Sequence, residues 1–121
     1  MKMLLKLEEF AQLGLSTYLF SLLDFAWWWY LVLFLVPDLG MLGYLISNRI
    51  GAWSYNLFHH KAIAICIYLL GVFLSNEQCL LAGCILFGHA AFDRILGYGL
   101  KYSDSFNHTH LGNVGNSAKT P

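Results

Sequence analysis

Long apolar stretches, separated by very short polar connections, are the main pattern along the chain. Four of them can be drawn, at residues 4–23, 27–46, 51–74 and 78–100, each close to the ~20 residues that a helix needs to cross a membrane. They are continuously apolar instead of alternating, which favours helices over strands. Because the connections are short, neighbouring helices must be antiparallel. The pattern predicts an all-α, polytopic membrane protein, a four-transmembrane-helix antiparallel bundle.

The composition agrees with a membrane protein and excludes other classes. Hydrophobic residues make up 58% of the 121 residues and charged residues only 12%, against roughly 25% charged in a soluble domain. The net charge is zero, with no basic run that could neutralise phosphates, so nucleic acid is excluded as a partner. The lipid bilayer is the predicted partner, and a homo-oligomer or a larger membrane complex is left open.

The placement of charges predicts the orientation of the bundle. Five basic residues fall at the N-terminus, in the second connection or in the C-terminal tail: Lys2, Lys6, Arg49, Lys101 and Lys119. The other two connections carry only Asp24 and Glu77. The positive-inside rule then places both termini in the cytoplasm. The predicted location is the cell inner (cytoplasmic) membrane, with several passes. Residues 1–102 form the predicted transmembrane domain, and 103–121 a cytoplasmic tail partly folded back on it.

Ionisable residues inside the predicted spans lie at a common depth. At about 1.5 Å per residue, Asp38 and His59 lie about 16 and 15 Å from Arg49 along their helices. His89 and Asp93 are four residues apart on one face of the fourth helix. Such residues are expensive in lipid and therefore mark a functional site. We expect all four in one cavity in the cytoplasmic half, with Glu8 at its edge.

Imidazoles and carboxylates together suit Zn, Mn or Fe, and helix bundles commonly hold such metals in their cores. The main predicted ligands are Asp38, His59, His89 and Asp93; Glu8 and His110 are additional candidates, the latter if the tail folds back beneath the bundle. Each also has a purely structural interpretation. His89 and Asp93 could simply hydrogen-bond each other, and His110 could be a solvated tail residue. No catalytic residue is assigned.

Several motifs resemble a known family. They are LEE at 7–9, PDLGMLGY at 37–44, YNLFH at 55–59, HAAFDRILGYGLKY at 89–102, Phe106 and THLG at 109–112. The pattern is similar to a family of small bacterial integral-membrane proteins catalogued as domain of unknown function 4260. The resemblance covers nearly the whole chain and implies a polytopic helical membrane protein, without an established reaction. It matches His59, His89 and His110, but not His60 or His108.

Four functions remain open. The first is a metal-dependent hydrolase acting on a lipid or amphiphile from the cytoplasmic side, since a bound metal would lower the pKa of its water. The second is a structural or accessory membrane subunit whose polar network only fixes helix packing. A haem protein using His59 and His89 and a small dimeric transporter are less favoured. The substrate, the metal and the oligomeric state are not determined by the sequence.

Overall fold

The computed structural model describes residues 1–101 and 108–113, and it confirms that the protein is all-α in class. Five α-helices, one 3-10 helix and a minimal hairpin follow one another along the chain. They are α1 Lys2–Ser21, α2 Trp27–Leu33, the 3-10 helix Val36–Leu45, α3 Asn48–His59, α4 Lys61–Leu74, α5 Glu77–Ile95, β1 His108–Thr109 and β2 Gly112–Asn113.

Local sequence signals explain where α3 and α5 begin and where α5 ends. The Ser47 hydroxyl accepts a hydrogen bond from the Ile50 N–H, and the Asn76 side chain accepts one from the Cys79 N–H. These are the usual N-cap bonds, which satisfy amides that have no partner in the first turn. After α5, Gly97 has φ +94°, a conformation that ordinary side chains disfavour and that commonly ends a helix.

Two predicted spans are broken in the structure. The span predicted at 27–46 is α2 followed by the 3-10 helix, and the change occurs next to Pro37, whose ring cannot donate the backbone hydrogen bond that an α-helix needs. The span predicted at 51–74 is α3 followed by α4, with axes bent by 47° and extended backbone at His60 between them. Helix boundaries therefore differ from the prediction even though the helical class agrees.

Within the described residues, one helical stretch, Trp27–Leu45, is long and apolar enough to cross a membrane. The bent pair Asn48–His59 and Lys61–Leu74 is a second such stretch if it is counted as one span. The structure therefore contains one or two candidate spans by length and composition. The bundle of four transmembrane helices and its orientation are not confirmed.

Helix α5 lies at the centre, with α1 and α4 packed along it and the 3-10 helix packed on α3. A cluster of buried side chains, Phe20, Tyr30, Cys84 and Ile85, connects α1, α2 and α5. Beside it, the Ser16 hydroxyl donates to the Cys84 carbonyl at 2.6 Å and lies 2.8 Å from the Tyr30 hydroxyl. The first two helices are thereby fixed against α5.

Much of the outer surface is apolar. Many large hydrophobic side chains are exposed, among them Phe73 and Leu45 at 85% and Trp53 at 70%. Water-soluble monomers rarely expose apolar patches larger than a few hundred Å². This surface is therefore of the kind that lipid or another chain covers.

The described part of the tail turns back to the end of α5. Thr109 forms an isolated antiparallel bridge with Lys101, and the His110 N–H donates to the Leu100 carbonyl at 2.9 Å. Residues 102–107 and 114–121 lie outside the described residues, and Phe106, one of the residues that carry the family resemblance, is among them.

Candidate metal centre

Three elements bring Asp38, His59, His89 and Asp93 together. The 3-10 helix supplies Asp38, α3 ends at His59, and α5 supplies the other two. One nitrogen or carboxylate oxygen from each lies within 4.8 Å of those of the others. Asp38 Oδ1 is 3.6 Å from His59 Nε2 and 3.0 Å from His89 Nε2. Asp93 Oδ2 is 3.1 and 3.4 Å from the same two nitrogens.

The protonation of His59 follows from its partner. Its Nδ1 lies 2.9 Å from the Tyr55 carbonyl oxygen, and because a carbonyl only accepts, Nδ1 carries the hydrogen. In a neutral ring, Nε2 is then an unprotonated acceptor. The His59 side chain is only 3% exposed, and among the described residues its Nε2 receives no hydrogen bond. A buried lone pair therefore points into the cluster.

His89 is also oriented by a backbone carbonyl, one that accepts no hydrogen bond from the residue four positions later. The Asp38 N–H bonds to the Leu35 carbonyl instead of the Phe34 carbonyl four residues back, because the chain has changed from α to 3-10 geometry. The free Phe34 carbonyl accepts the Nδ1–H of His89. The Nε2 of His89 is thereby turned toward Asp38 and Asp93.

Close packing between the 3-10 helix and α3 sets the separation of Asp38 from His59. A Cβ at Gly40 would lie 2.9 Å from the Phe58 ring and 3.0 Å from the Ser54 carbonyl oxygen. The Ser54 hydroxyl donates to the Gly40 carbonyl at 2.7 Å. Only a residue without a side chain permits this approach. Gly40 therefore allows the 3-10 helix and α3 to approach closely.

The geometry of the four facing atoms is compatible with a metal ion, since all of them lie within 4.8 Å of one another. With both rings neutral and their hydrogens on Nδ1, the two Nε2 lone pairs and the two carboxylate oxygens are all acceptors, which a cation between them would satisfy; a proton on His89 Nε2 would instead donate to Asp38 Oδ1 at 3.0 Å. Ligands placed tetrahedrally about 2.05 Å from Zn²⁺ lie about 3.4 Å apart. The four His–Asp distances, from 3.0 to 3.6 Å, bracket this value. Ring N–H groups bonded to carbonyls are also the usual support for metal-binding histidines.

Tyr55 and Lys101 are site residues that sequence reasoning missed. The Tyr55 hydroxyl donates to Asp93 Oδ2 at 3.2 Å, and its ring stacks on His59 with centroids 3.9 Å apart. The buried ammonium of Lys101 lies 4.7 Å from the centre of the Tyr55 ring. Burial lowers the pKa of Lys101, and the Asp93 carboxylate opposes that shift. Tyr55 lies one helical turn before His59, and this spacing is the sequence signal that could have identified it as a site residue.

The backbone of Lys101 is fixed by Asn56. The Asn56 amide donates to the Lys101 carbonyl at 2.8 Å, and its oxygen accepts from the Lys101 N–H at 2.6 Å. These bonds connect the segment after α5 to α3, beside the cluster.

The two additional candidates lie elsewhere. Glu8 is exposed on α1, and neither Glu8 nor His110 belongs to the group of facing ligand atoms. His110 accepts a hydrogen bond at Nδ1 from the Leu100 N–H at 2.8 Å. Burial, and then the positive charge of Arg94, lower the pKa of His110.

The centre is enclosed on one side and open on another. The His89 side chain is 2% exposed, but that of Asp38 is 36% exposed. A small molecule could therefore reach the cluster at Asp38, while the histidines are kept from bulk water.

The family model described as Domain of unknown function (DUF4260) matches residues 2–114. The chain belongs to this family. The DUF4260 match includes all four cluster residues and confirms the resemblance seen in the motifs, although the family's description names neither a membrane nor a reaction. No curated protein and no solved structure matches the chain.

Proposed function

We propose that this DUF4260 protein is an integral membrane enzyme that binds one divalent metal, Zn, Mn or Fe, and hydrolyses an amphiphile. The observation that carries the proposal is the convergence of His59 Nε2 and His89 Nε2 with one oxygen each of Asp38 and Asp93. Both histidines hold their hydrogens on Nδ1 by bonds to backbone carbonyls. A divalent cation would balance the charge of the two carboxylates and bind the four facing atoms.

The exposed apolar surface and the candidate spans support insertion in a membrane. The basic residues that fall on one side of the predicted topology support cytoplasmic termini in the inner membrane. In this arrangement the cluster lies in the cytoplasmic half of the bilayer, within reach of an ester or phosphoester group at the lipid surface.

The residues around the cluster could hold and orient a metal ion for hydrolysis. A bound metal would supply a water of lowered pKa and polarise the oxygen of the scissile group. Tyr55 holds Asp93 by its hydroxyl, and the Phe34 and Tyr55 carbonyls fix the rings of His89 and His59. Asp38, at the accessible edge, lies where a substrate would enter.

An apolar groove whose lining ends one turn before His89 on α5 suits the hydrocarbon part of an amphiphile. Its volume is about 260 Å³, and Pro37, Phe58 and Ile85 are among its lining residues. Pro37 directly precedes Asp38, and Phe58 directly precedes His59. Ile85 lies one turn before His89 on α5. The groove therefore reaches the level of His89 through Ile85, and none of the four proposed ligands lines it.

Elemental analysis of the purified protein tests the metal centre. After incubation with Zn²⁺, Mn²⁺ or Fe²⁺ and removal of excess ions, we expect about one ion per chain. His59→Gln should lose this ion, while His60→Gln should retain it, because His60 is exposed and outside the cluster. Wild-type protein without metal under all three conditions would contradict the proposal. The cluster would then be a protonated His–Asp network and the protein a structural subunit.

Hydrolysis is tested separately with p-nitrophenyl esters of short and long acyl chains. We expect metal-loaded protein to cleave the long-chain ester faster, because the groove binds its hydrocarbon part. Asp38→Asn should abolish cleavage and Asp24→Asn should not, since Asp24 is exposed at the other end of the bundle. Metal-loaded protein that cleaves neither ester nor a p-nitrophenyl phosphodiester would contradict the enzymatic part of the proposal.

A further inference from the structure

A second pocket lies between the start of α1, the end of α5 and the described part of the tail. It has a volume of about 510 Å³, within the usual range of small-molecule sites. Its polar lining residues are Lys2, Lys6, Glu9, Arg94 and His110. None of these belongs to the group of facing metal-ligand atoms.

The described residues of the pocket carry an excess of positive charge. Among them the one acidic lining residue is Glu9, and the Glu9 carboxylate is already paired with the ammonium of Lys61 on α4. Among residues 1–101 and 108–113, Lys2, Lys6 and Arg94 form no ion pair. The neighbouring Glu8 is exposed and does not line the pocket.

His110 adds a neutral donor to this lining. Its Nδ1 accepts the Leu100 N–H, so in the neutral ring Nε2 carries the hydrogen. Burial and the nearby Arg94 lower the pKa of His110 and favour this neutral form. Two leucines, Leu5 and Leu111, give the pocket an apolar wall.

We propose that this pocket binds the phosphate group of an anionic ligand, as a phosphoester headgroup or a free phosphate. A guanidinium and two ammonium groups match phosphate oxygens in charge and as donors. Positive side chains at the cytoplasmic end of a bundle also match the anionic lipids of that leaflet. The site is separate from the metal centre, and its occupation requires no metal.

Native mass spectrometry of the protein in neutral detergent tests the site. Detergent removes the charged membrane surface, so only a local site can select an anionic lipid. With phosphatidylglycerol and phosphatidylcholine offered equally, we expect preferential retention of phosphatidylglycerol. Arg94→Gln and Lys6→Gln should each weaken that binding about fivefold. Arg49→Gln removes the same charge from an exposed position on α3 and should leave the binding of phosphatidylglycerol unchanged.

Competition with inorganic phosphate identifies the source of the ligand. If phosphate displaces the lipid at millimolar concentration, the pocket takes the free anion as well; if it does not, the pocket selects the lipid headgroup.

The conservative variant Arg94→Lys keeps the positive charge and should restore most of the lipid binding that Arg94→Gln loses. Lys6 lies on an exposed face of α1, so Lys6→Gln tests the site even if the Arg94 variants fail to fold. The proposal would be overturned if Arg49→Gln weakened phosphatidylglycerol binding as much as Arg94→Gln and Lys6→Gln do, or if the wild type showed no preference for phosphatidylglycerol.

Discussion

His59 and His60 show how strongly position decides the role of a residue. Both are histidines, adjacent in the chain, but His59 is buried among carboxylates and His60 is exposed at the break between α3 and α4. Helix α3 ends at His59, and His60 has extended backbone, so the two side chains leave the chain in different directions. The family resemblance favoured His59, and the structure places His59 in the cluster.

At the residue scale, Tyr55→Phe tests the support of the proposed metal centre. The substitution removes the hydrogen bond to Asp93 but keeps the ring that stacks on His59. Loss of such a supporting bond typically costs about 10- to 100-fold in metal affinity, and we expect a loss in this range for Zn²⁺ by competition with a chelator. Tyr18→Phe on the exposed face of α1 is the control. Equal affinity in the Tyr55 variant and the wild type would show that Tyr55 does not support the ligands.

The hydrogen bond from the Leu100 N–H to His110 predicts that docking of the tail onto the end of α5 depends on pH. The pKa of His110 is lowered when docked, so the undocked state, with a pKa near 6.5, binds the proton more readily. Docking is therefore fully stable above about pH 6.5 and weakens as the pH falls below it. We expect hydrogen-exchange protection of the Leu100 amide, corrected for intrinsic rates, to fall between about pH 7.5 and 5. The same protection at both pH values would contradict this assignment.

At the element scale, the pairing of the 3-10 helix with α3 depends on glycine. In Gly40→Ala, the new Cβ would meet Phe58 and the Ser54 carbonyl oxygen at 3.0 Å or less. Because the backbone oxygen cannot move freely, we expect destabilisation of about 1–3 kcal/mol and weaker metal binding as Asp38 moves from His59. Thermal unfolding in detergent and a metal titration measure both effects.

Gly14→Ala is the matched control for that experiment. A Cβ at Gly14 meets nothing within 4 Å, and alanine is the better helix former by up to about 1 kcal/mol. The variant should therefore be as stable as the wild type or more so. If both substitutions had the same effect, the close approach of the two elements would not be the cause.

At the scale of the whole molecule, the proposed topology predicts which residues reach each side of the membrane. Single cysteines at positions 24 and 77, in a background where Cys66, Cys79 and Cys84 are alanine, should react with an impermeant maleimide added outside. A cysteine at position 49 should react only after the membrane is opened. Cysteines at 24 and 77 that are reachable only from the cytoplasm would reverse the orientation.

The sequence by itself determined the helical class, the apolar character of the surface and the family. These properties follow from composition and from local periodicity, because each helix satisfies its own backbone hydrogen bonds. Position along a predicted helix also follows from residue number. For this reason Asp38, His59, His89 and Asp93 could be assigned to one level before their helices were placed.

Only the tertiary structure decided which side chains face one another. Three features fix the rotation of each helix about its axis. They are the close contact at Gly40, the change from α to 3-10 geometry beside Pro37 and the bend at His60. Depth alone could not show that Glu8 faces outward, or that Tyr55 holds Asp93. Rotation about a helix axis depends on packing between distant segments, and no local pattern of residues encodes that packing.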